Sequence, residues 1–291
     1  MNPGINPGDF NYTENFTEKG LILLREIINS EQNPKVKFLK KLYRRKSRRQ
    51  MGLFVLEGYR IVEEALKSDV IFDSIYMTPE FYESKEGEWI HTEFEKRFDS
   101  GPIFLIRESI LNSIADTRTP QGIIGVVQER KYELADVFAG KDFLLLLDRI
   151  QDPGNMGTII RTAVAAGVDG IIILRGSVDI YNLKVLRSTM GAVFKIPLIQ
   201  EVELEDFLRL YKKSEYKLIS TDLSAEKYYY QLEYREPLIL AIGNEANGLE
   251  EEILKNSDYR IKIPLLGDIE SLNAAIATGI ILYRIVEKRL Q

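Results

Sequence analysis

The feature that most constrains the fold is a series of short apolar runs between residues 142 and 265, each followed by a stretch with helical spacing. The runs are DFLLLLD (142–148), GIIIL (170–174), VFKIPLI (193–199), YKLIST (216–221), PLILAIG (237–243) and YRIKIPL (259–265). A strand that is apolar on both sides must be buried on both faces, as in a parallel sheet sandwiched between helices. Strands alternating with helices therefore predict an α/β unit with an open parallel sheet, closed by a helix over SLNAAIATGIILYRIVEKRL (271–290).

The first half reads as a smaller α/β unit. LFVLEG (53–58), VIFDSIYM (70–77), PIFLI (102–106) and GIIGVVQ (122–128) are candidate strands, and ERKYELADVFAGKD (129–142) is the expected linker. The chain divides into an N-terminal extension (1–30), a first domain (31–130) and a second domain (142–291). Leu21, Leu24 and Ile28 have the spacing of an amphipathic helix from Glu18 to Ile28.

Charge is unevenly placed. The net charge of −5 conceals eleven Lys/Arg against five Asp/Glu in residues 1–50, and no acid between Glu31 and Glu57. Lys35, Lys37, Lys40, Lys41, Arg44, Arg45, Lys46, Arg48 and Arg49 crowd one stretch, with Leu39, Leu42 and Tyr43 as a narrow apolar stripe. This predicts a helix with one buried face and a cationic outer face suited to phosphates.

Cysteine is absent, which excludes disulfides, thiolate metal sites and cysteine nucleophiles. The single histidine, His91, lies in the acidic stretch EGEWIHTEFEK and reads as a surface residue. No metal is expected. No apolar run approaches membrane-spanning length, and the first residues lack the pattern of a secretion signal, so a cytoplasmic protein is expected.

Three loops follow apolar strands, where parallel sheets bind their ligands. In DRIQDPGNMGTIIR, Gly154 and Gly157 flank Asn155, and Arg161 lies about one turn beyond Gly157 if the stretch is helical. The glycines either let backbone approach a phosphate or simply make a tight turn. In IGNEANGL, Gly243 and Glu245 sit in a Gly-Asn turn. In IKIPLLGDIESLNAAIA, Ser271 and Asn273 open a helix, and Ser271 is a candidate helix cap. The spacing is not that of a dinucleotide-binding loop, which counts against a nucleotide-dependent oxidoreductase.

In this order, NMGTIIR (155–161), GNEANGL (243–249) and IPLLGDIESLN (263–273), with VLRSTMGAVFKIPL (185–198) between them, resemble the motifs of the SpoU (TrmH-like) branch of the SPOUT RNA methyltransferases. Residues 33–66 also resemble the ribosomal-protein-L30-like substrate-binding domain of its rRNA-directed members. The resemblance implies a deep trefoil knot in the second domain, a homodimer with shared active sites, S-adenosylmethionine as cofactor, and RNA as partner. It implies methyl transfer to a ribose 2′-hydroxyl, most readily in 23S rRNA. A tRNA 2′-O-methyltransferase and a non-catalytic ribosome-assembly factor remain open as alternatives.

Carried over by position, the resemblance makes Asn155, Arg161, Glu245, Ser271 and Asn273 the catalytic candidates. Thr221, Gly243, Ile263 and Leu272 become the cofactor-binding ones. Lys35, Lys37, Lys41, Arg44, Arg45, Lys46, Arg48 and Arg49 become RNA-binding candidates. The family's usual account makes the arginine a general base. A guanidinium hardly ever gives up its proton, so Arg161 is expected instead to grip a phosphate, with Glu245 orienting it or taking a proton through water.

Overall fold

A computed structural model of the chain describes residues 27–98 and 102–291. Most of the extension, including the expected helix from Glu18, lies outside them. Where the described chain begins, Ile27–Ile28 is not helical. It forms a two-residue strand, β1, parallel to Ile103–Ile106 (β4). With Leu53–Glu57 (β2), Phe72–Met77 (β3) and Ile123–Gln128 (β5), these make a mixed sheet ordered β1-β4-β3-β5-β2.

The basic stretch forms two helices rather than one. Pro34–Leu42 is capped by Asn33, whose Oδ1 accepts from Lys35 N–H at 2.9 Å, and it buries Val36, Leu39 and Leu42. Arg45–Met51 follows after Arg44 turns extended, and ends on Gly52 in the left-handed region. The expected linker is also partly structured: Leu134–Phe138 is helical, and Val137 is buried against the second sheet.

The second sheet is wholly parallel. Phe143–Leu147 (β6), Gly170–Leu174 (β7), Leu198–Val202 (β8), Lys217–Thr221 (β9), Lys227–Tyr228 (β10), Leu238–Ile242 (β11) and Tyr259–Lys262 (β12) are ordered β10-β12-β9-β11-β6-β7-β8. Alternate residues of β6 feed two cores. Leu145 and Leu147 face helices Pro153–Ala165 and Ala274–Leu290, while Leu144 and Leu146 face Leu204–Tyr211 and Glu251–Lys255. The chain runs outward through β7 and β8, then crosses back so that β11 lies between β9 and β6. The C-terminal helix returns to pack on helix Pro153–Ala165.

The strand expected at 193–199 is displaced. Ala192–Phe194 is a short 3-10 turn, and β8 begins only at Leu198, after Pro197. Gly191 explains the interruption. Its φ is +83°, and a Cβ there would lie 2.7 Å from Cβ of Glu64 in the first domain. Contact between the two units, and not apolar patterning, shapes this segment. Phe54 of β2 stacks on Tyr181 at 4.1 Å, and one apolar core runs from the first sheet into the second.

Candidate active site

The three loops identified in the sequence meet at the carboxyl ends of β6, β9, β11 and β12. Helix Pro153–Ala165 starts from Asp152, whose side chain accepts from Asn155 N–H at 2.7 Å, with Pro153 in the first turn. This sets Asn155 at the mouth of the site, where its Nδ2 donates to Glu245 Oε1 at 2.6 Å. Its Oδ1 accepts from Asn273 Nδ2 at 2.9 Å. Asn155 thus joins all three loops through one side chain.

The turn that carries Glu245 is tightly closed. Asn244 and Gly248 exchange backbone hydrogen bonds at 3.1 and 2.9 Å, while Asn244 Oδ1 accepts from the N–H groups of Ala246 and Asn247. Gly243 lets the turn fold back on itself: a Cβ there would lie 2.3 Å from the Gly248 carbonyl carbon.

Beneath the turn lies a group that sequence reading did not single out. Asp148, fully buried at the end of β6, accepts two hydrogen bonds from the Arg149 guanidinium at 2.9 Å each and one from Glu250 N–H at 2.8 Å. Asn244 Nδ2 donates to the Arg149 carbonyl, and Arg149 has a φ of +54°. Arg149 also stands opposite the Glu250 carboxylate at 3.5 Å. An acid at the end of a continuous apolar strand was the available signal.

Thr221, Gly243, Ile263 and Leu272 all line one cavity of about 350 Å³, together with Glu245 and Ser271. Its remaining wall is largely apolar, from Ile242, Leu249, Ile261 and Ile281. Among the described residues, the backbone of 263–272 makes one backbone hydrogen bond, from Ile269 to Gly267, which leaves its other polar groups free to meet a ligand.

Several expectations change. Ser271 does not cap the C-terminal helix: Asn273 does, accepting from the N–H groups of Ala275 and Ile276. Ser271 is exposed at the cavity edge. Gly157 serves helix packing, since a Cβ would lie 2.4 Å from Cβ of Ser188. Glu245 does not hold Arg161, because its partner is Asn155. Arg161 is exposed, and its side chain makes no hydrogen bond or ion pair among the described residues. Six residues along a helix amount to about 9 Å of rise and roughly a third of a turn away in direction, so Arg161 and Asn155 occupy different faces.

The cationic run also divides. Lys37, Lys41, Arg44 and Lys46 are exposed, with no side-chain hydrogen bond or ion pair among the described residues. Lys35 lies over the Phe104 ring at 3.7 Å. Arg48 departs from the expected outer face: it is buried, and its Nη2 donates to Asp179 Oδ2 at 2.5 Å. Arg45 and Arg49 both reach Glu201 Oε1, at 2.5 and 2.7 Å. His91, expected at the surface, is half-buried and stacks on Tyr82 at 4.5 Å.

Residues 142–283 match the SpoU rRNA Methylase family, and residues 33–125 match the MRM3-like substrate binding domain. The 23S rRNA (guanosine(2553)-2′-O)-methyltransferase RlmP of Bacillus subtilis is 35% identical over 259 residues, 89% of this chain and 98% of that protein. The chain belongs to the SpoU rRNA methylase family. Solved SpoU-type structures share the architecture. The AdoMet-bound rRNA methyltransferase of Sinorhizobium meliloti superposes with a TM-score of 0.82 at 32% identity, covering 91% of this chain and 99% of the other. The AdoMet complex of the SpoU methyltransferase AviRb from Streptomyces viridochromogenes gives 0.79 at 26% identity, over 89% and 99%. As a SpoU methylase, the chain is an RNA 2′-O-ribose methyltransferase that uses S-adenosylmethionine.

Proposed function

We propose that this protein methylates a ribose 2′-hydroxyl of 23S rRNA, with residues 142–291 as the catalytic domain and 31–130 docking the RNA. The observation that carries this reading is the cavity at the strand ends, with the Asn155–Glu245–Asn273 contact at its rim. A cavity of about 350 Å³ is within the range of ordinary small-ligand sites. Its apolar walls suit a purine ring, and the free backbone groups of 263–272 suit the ring's hydrogen-bonding edges. Thr221, Gly243, Ile263 and Leu272 would hold the S-adenosylmethionine there. When bound, it supplies an electrophilic methyl carbon.

The chain's own groups must then align a 2′-oxygen and manage its proton. Glu245 is the carboxylate joined to the Asn155 side chain, and is placed to accept the proton directly or through water. Asn155 fixes the Glu245 carboxylate from one side, and Asn273 fixes Asn155. Ser271, exposed at the cavity edge, would help shape the ribose pocket.

Arg161, turned away from this contact, would act in the site of a second subunit, gripping the phosphate beside the target ribose. The exposed Ile276 and Tyr283 along the C-terminal helix, which packs on the helix bearing Arg161, support a homodimer. The return of the closing helix across the sheet supports the knotted threading that the family resemblance implies. A substrate in the ribosome supports a cytoplasmic location. No helix among the described residues is long and apolar enough to cross a membrane.

The test is to map 2′-O-methyl groups by mass spectrometry in rRNA and tRNA from cells with and without the protein. Loss of one mark in 23S rRNA is expected. Loss confined to tRNA would overturn the substrate reading, and no loss anywhere would overturn turnover.

A further inference from the structure

We infer that the cationic run acts as a measured spacer: Arg45, Arg48 and Arg49 are positioning residues that hold the RNA-docking face at a fixed distance from the methyl-transfer site. This rests on the reading of the first domain as the RNA-docking domain. The run contains nine cations within fifteen residues, and by composition alone all nine would serve phosphates. The structure separates them by partner.

The clamp has two carboxylates, both from the second domain. Asp179 follows β7, and its side chain is only 9% exposed; Arg48, opposite, is 10% exposed. Arg48 Nη1 also donates to the carbonyls of Leu42 and Tyr43, which end helix Pro34–Leu42, at 3.1 and 3.0 Å. One guanidinium therefore ties the end of that helix to the second sheet. Asp179 Oδ1 accepts from Tyr181 N–H, so the carboxylate is itself held.

The second carboxylate is placed by backbone irregularity. The β7–β8 register slips between Ile172 and Leu174, and Glu201 takes a φ of +61°, unusual for a residue with a side chain. An extra residue in a strand re-aims its side chains. Here the outcome is a carboxylate that receives both Arg45 and Arg49. A left-handed glutamate with two arginines from the other domain is more than a solvated surface pair needs.

Of the other six, Lys35 lies over Phe104 and Lys40 pairs with Glu31 at 2.7 Å, while Lys37, Lys41, Arg44 and Lys46 lie on the same two helices or at the turn between them. A phosphate bound there is referenced through Arg48 and Glu201 to the sheet that carries Asn155 and Glu245. Structured RNA is selected by shape, so a rigid span between docking and reaction would exclude riboses at other distances. Misplacing a reacting group by about 1 Å costs on the order of a hundredfold in rate.

The absence of cysteine makes the span directly measurable. Spin labels on Glu88→Cys and Glu205→Cys, both exposed positions in different domains, report the interdomain distance after dilution with unlabelled protein. Glu201→Lys should broaden that distribution, leave S-adenosylhomocysteine affinity and affinity for a 23S rRNA fragment within about threefold, and lower the single-turnover methylation rate at least tenfold. Adding Arg45→Glu and Arg49→Glu should narrow the distribution and restore most of the rate. Asp179→Asn is the harsher variant, and Glu201→Lys keeps the test usable if it fails to fold. An unchanged distance distribution would overturn the clamp. A broadened one with unchanged rate and unchanged target would overturn its role in positioning. If the wild type methylates no RNA, the functional reading fails, while the distance measurement still decides the clamp.

Discussion

Asn155 Nδ2 and Glu245 Oε1 lie 2.6 Å apart although ninety residues separate them in the chain. Two loops that are ordinary turns when taken singly are thereby joined at the rim of a cavity. Removing the donor leaves the carboxylate without its orienting partner, and removes the acceptor of Asn273 as well. Asn155→Ala should lower kcat by about a hundredfold, with S-adenosylhomocysteine affinity changed by no more than a few-fold. Calorimetry alongside single-turnover kinetics separates the two. A parallel loss of both would mean that Asn155 shapes the cavity and not the reaction.

Gly243 has no room for a side chain. A Cβ would stand 2.3 Å from the Gly248 carbonyl carbon and 2.4 Å from Leu249 N, both backbone atoms that cannot swing aside. Gly243→Ala must open the turn that carries Glu245. The expected cost is about 1–3 kcal/mol of stability, read from urea midpoints. S-adenosylhomocysteine affinity should fall at least about tenfold, since Gly243 lines the cavity. Wild-type affinity in this variant would show that the turn does not form the cofactor wall.

What could be read from the sequence, and what could not, follows from the range of the interactions involved. The buried strands were legible because DFLLLLD and PLILAIG carry their burial in consecutive residues. The three loops were legible because their order along the chain is itself a pattern. The division of the basic run was not, because Arg48 and Arg45 find their carboxylates 131 and 156 residues away. The start of β8 was equally hidden, since Gly191 answers to Glu64 of the other domain. Asn273 displaced Ser271 as the cap because the helix begins two residues later than its apolar pattern suggests.

Arg161 has no partner among the described residues, and stands on another face of its helix from Asn155. A planar fork can hold a phosphate through two parallel hydrogen bonds, whereas an ammonium cannot. Arg161→Lys should therefore lose at least about tenfold in kcat with its charge intact. Near-normal turnover would exclude the bidentate grip. Hybrid dimers that pair an Arg161→Ala subunit with an Asn155→Ala subunit should regain one intact site, about half of the wild-type dimer's activity, if Arg161 works across the interface.

Glu57 of β2 is buried, accepts from Asp116 N–H at 2.8 Å and faces Arg187 at 3.4 Å. Burial pushes its carboxyl above the ordinary glutamate range, outweighing the pull of the Asp116 N–H and of Arg187. A carboxyl harder to ionise when folded than when unfolded costs nothing at low pH, where both states are protonated. The cost grows as pH rises through the unfolded value and is complete above the folded one. Glu57→Gln keeps an acceptor for Asp116 N–H without that cost. Its urea midpoint should gain on wild type as pH rises above the ordinary glutamate range, and then level off. A gap that narrows with pH would mean that the Arg187 ion pair outweighs burial.

The salt dependence of RNA binding distinguishes the two groups of cations. Each phosphate neutralised contributes about 0.7–0.9 to the slope of log affinity against log salt. Lys37, Lys41, Arg44 and Lys46 are exposed and unpaired among the described residues, so replacing all four with Gln should lower the slope by about 3. Arg45 and Arg49 already face Glu201, and a phosphate would have to compete with that carboxylate. Arg45→Gln with Arg49→Gln should therefore change the slope by well under 1. Filter binding of a 23S rRNA fragment across a salt series reads both. Equal slopes lost per residue in the two variants would mean that the whole run contacts RNA and that the division by partner has no bearing on docking.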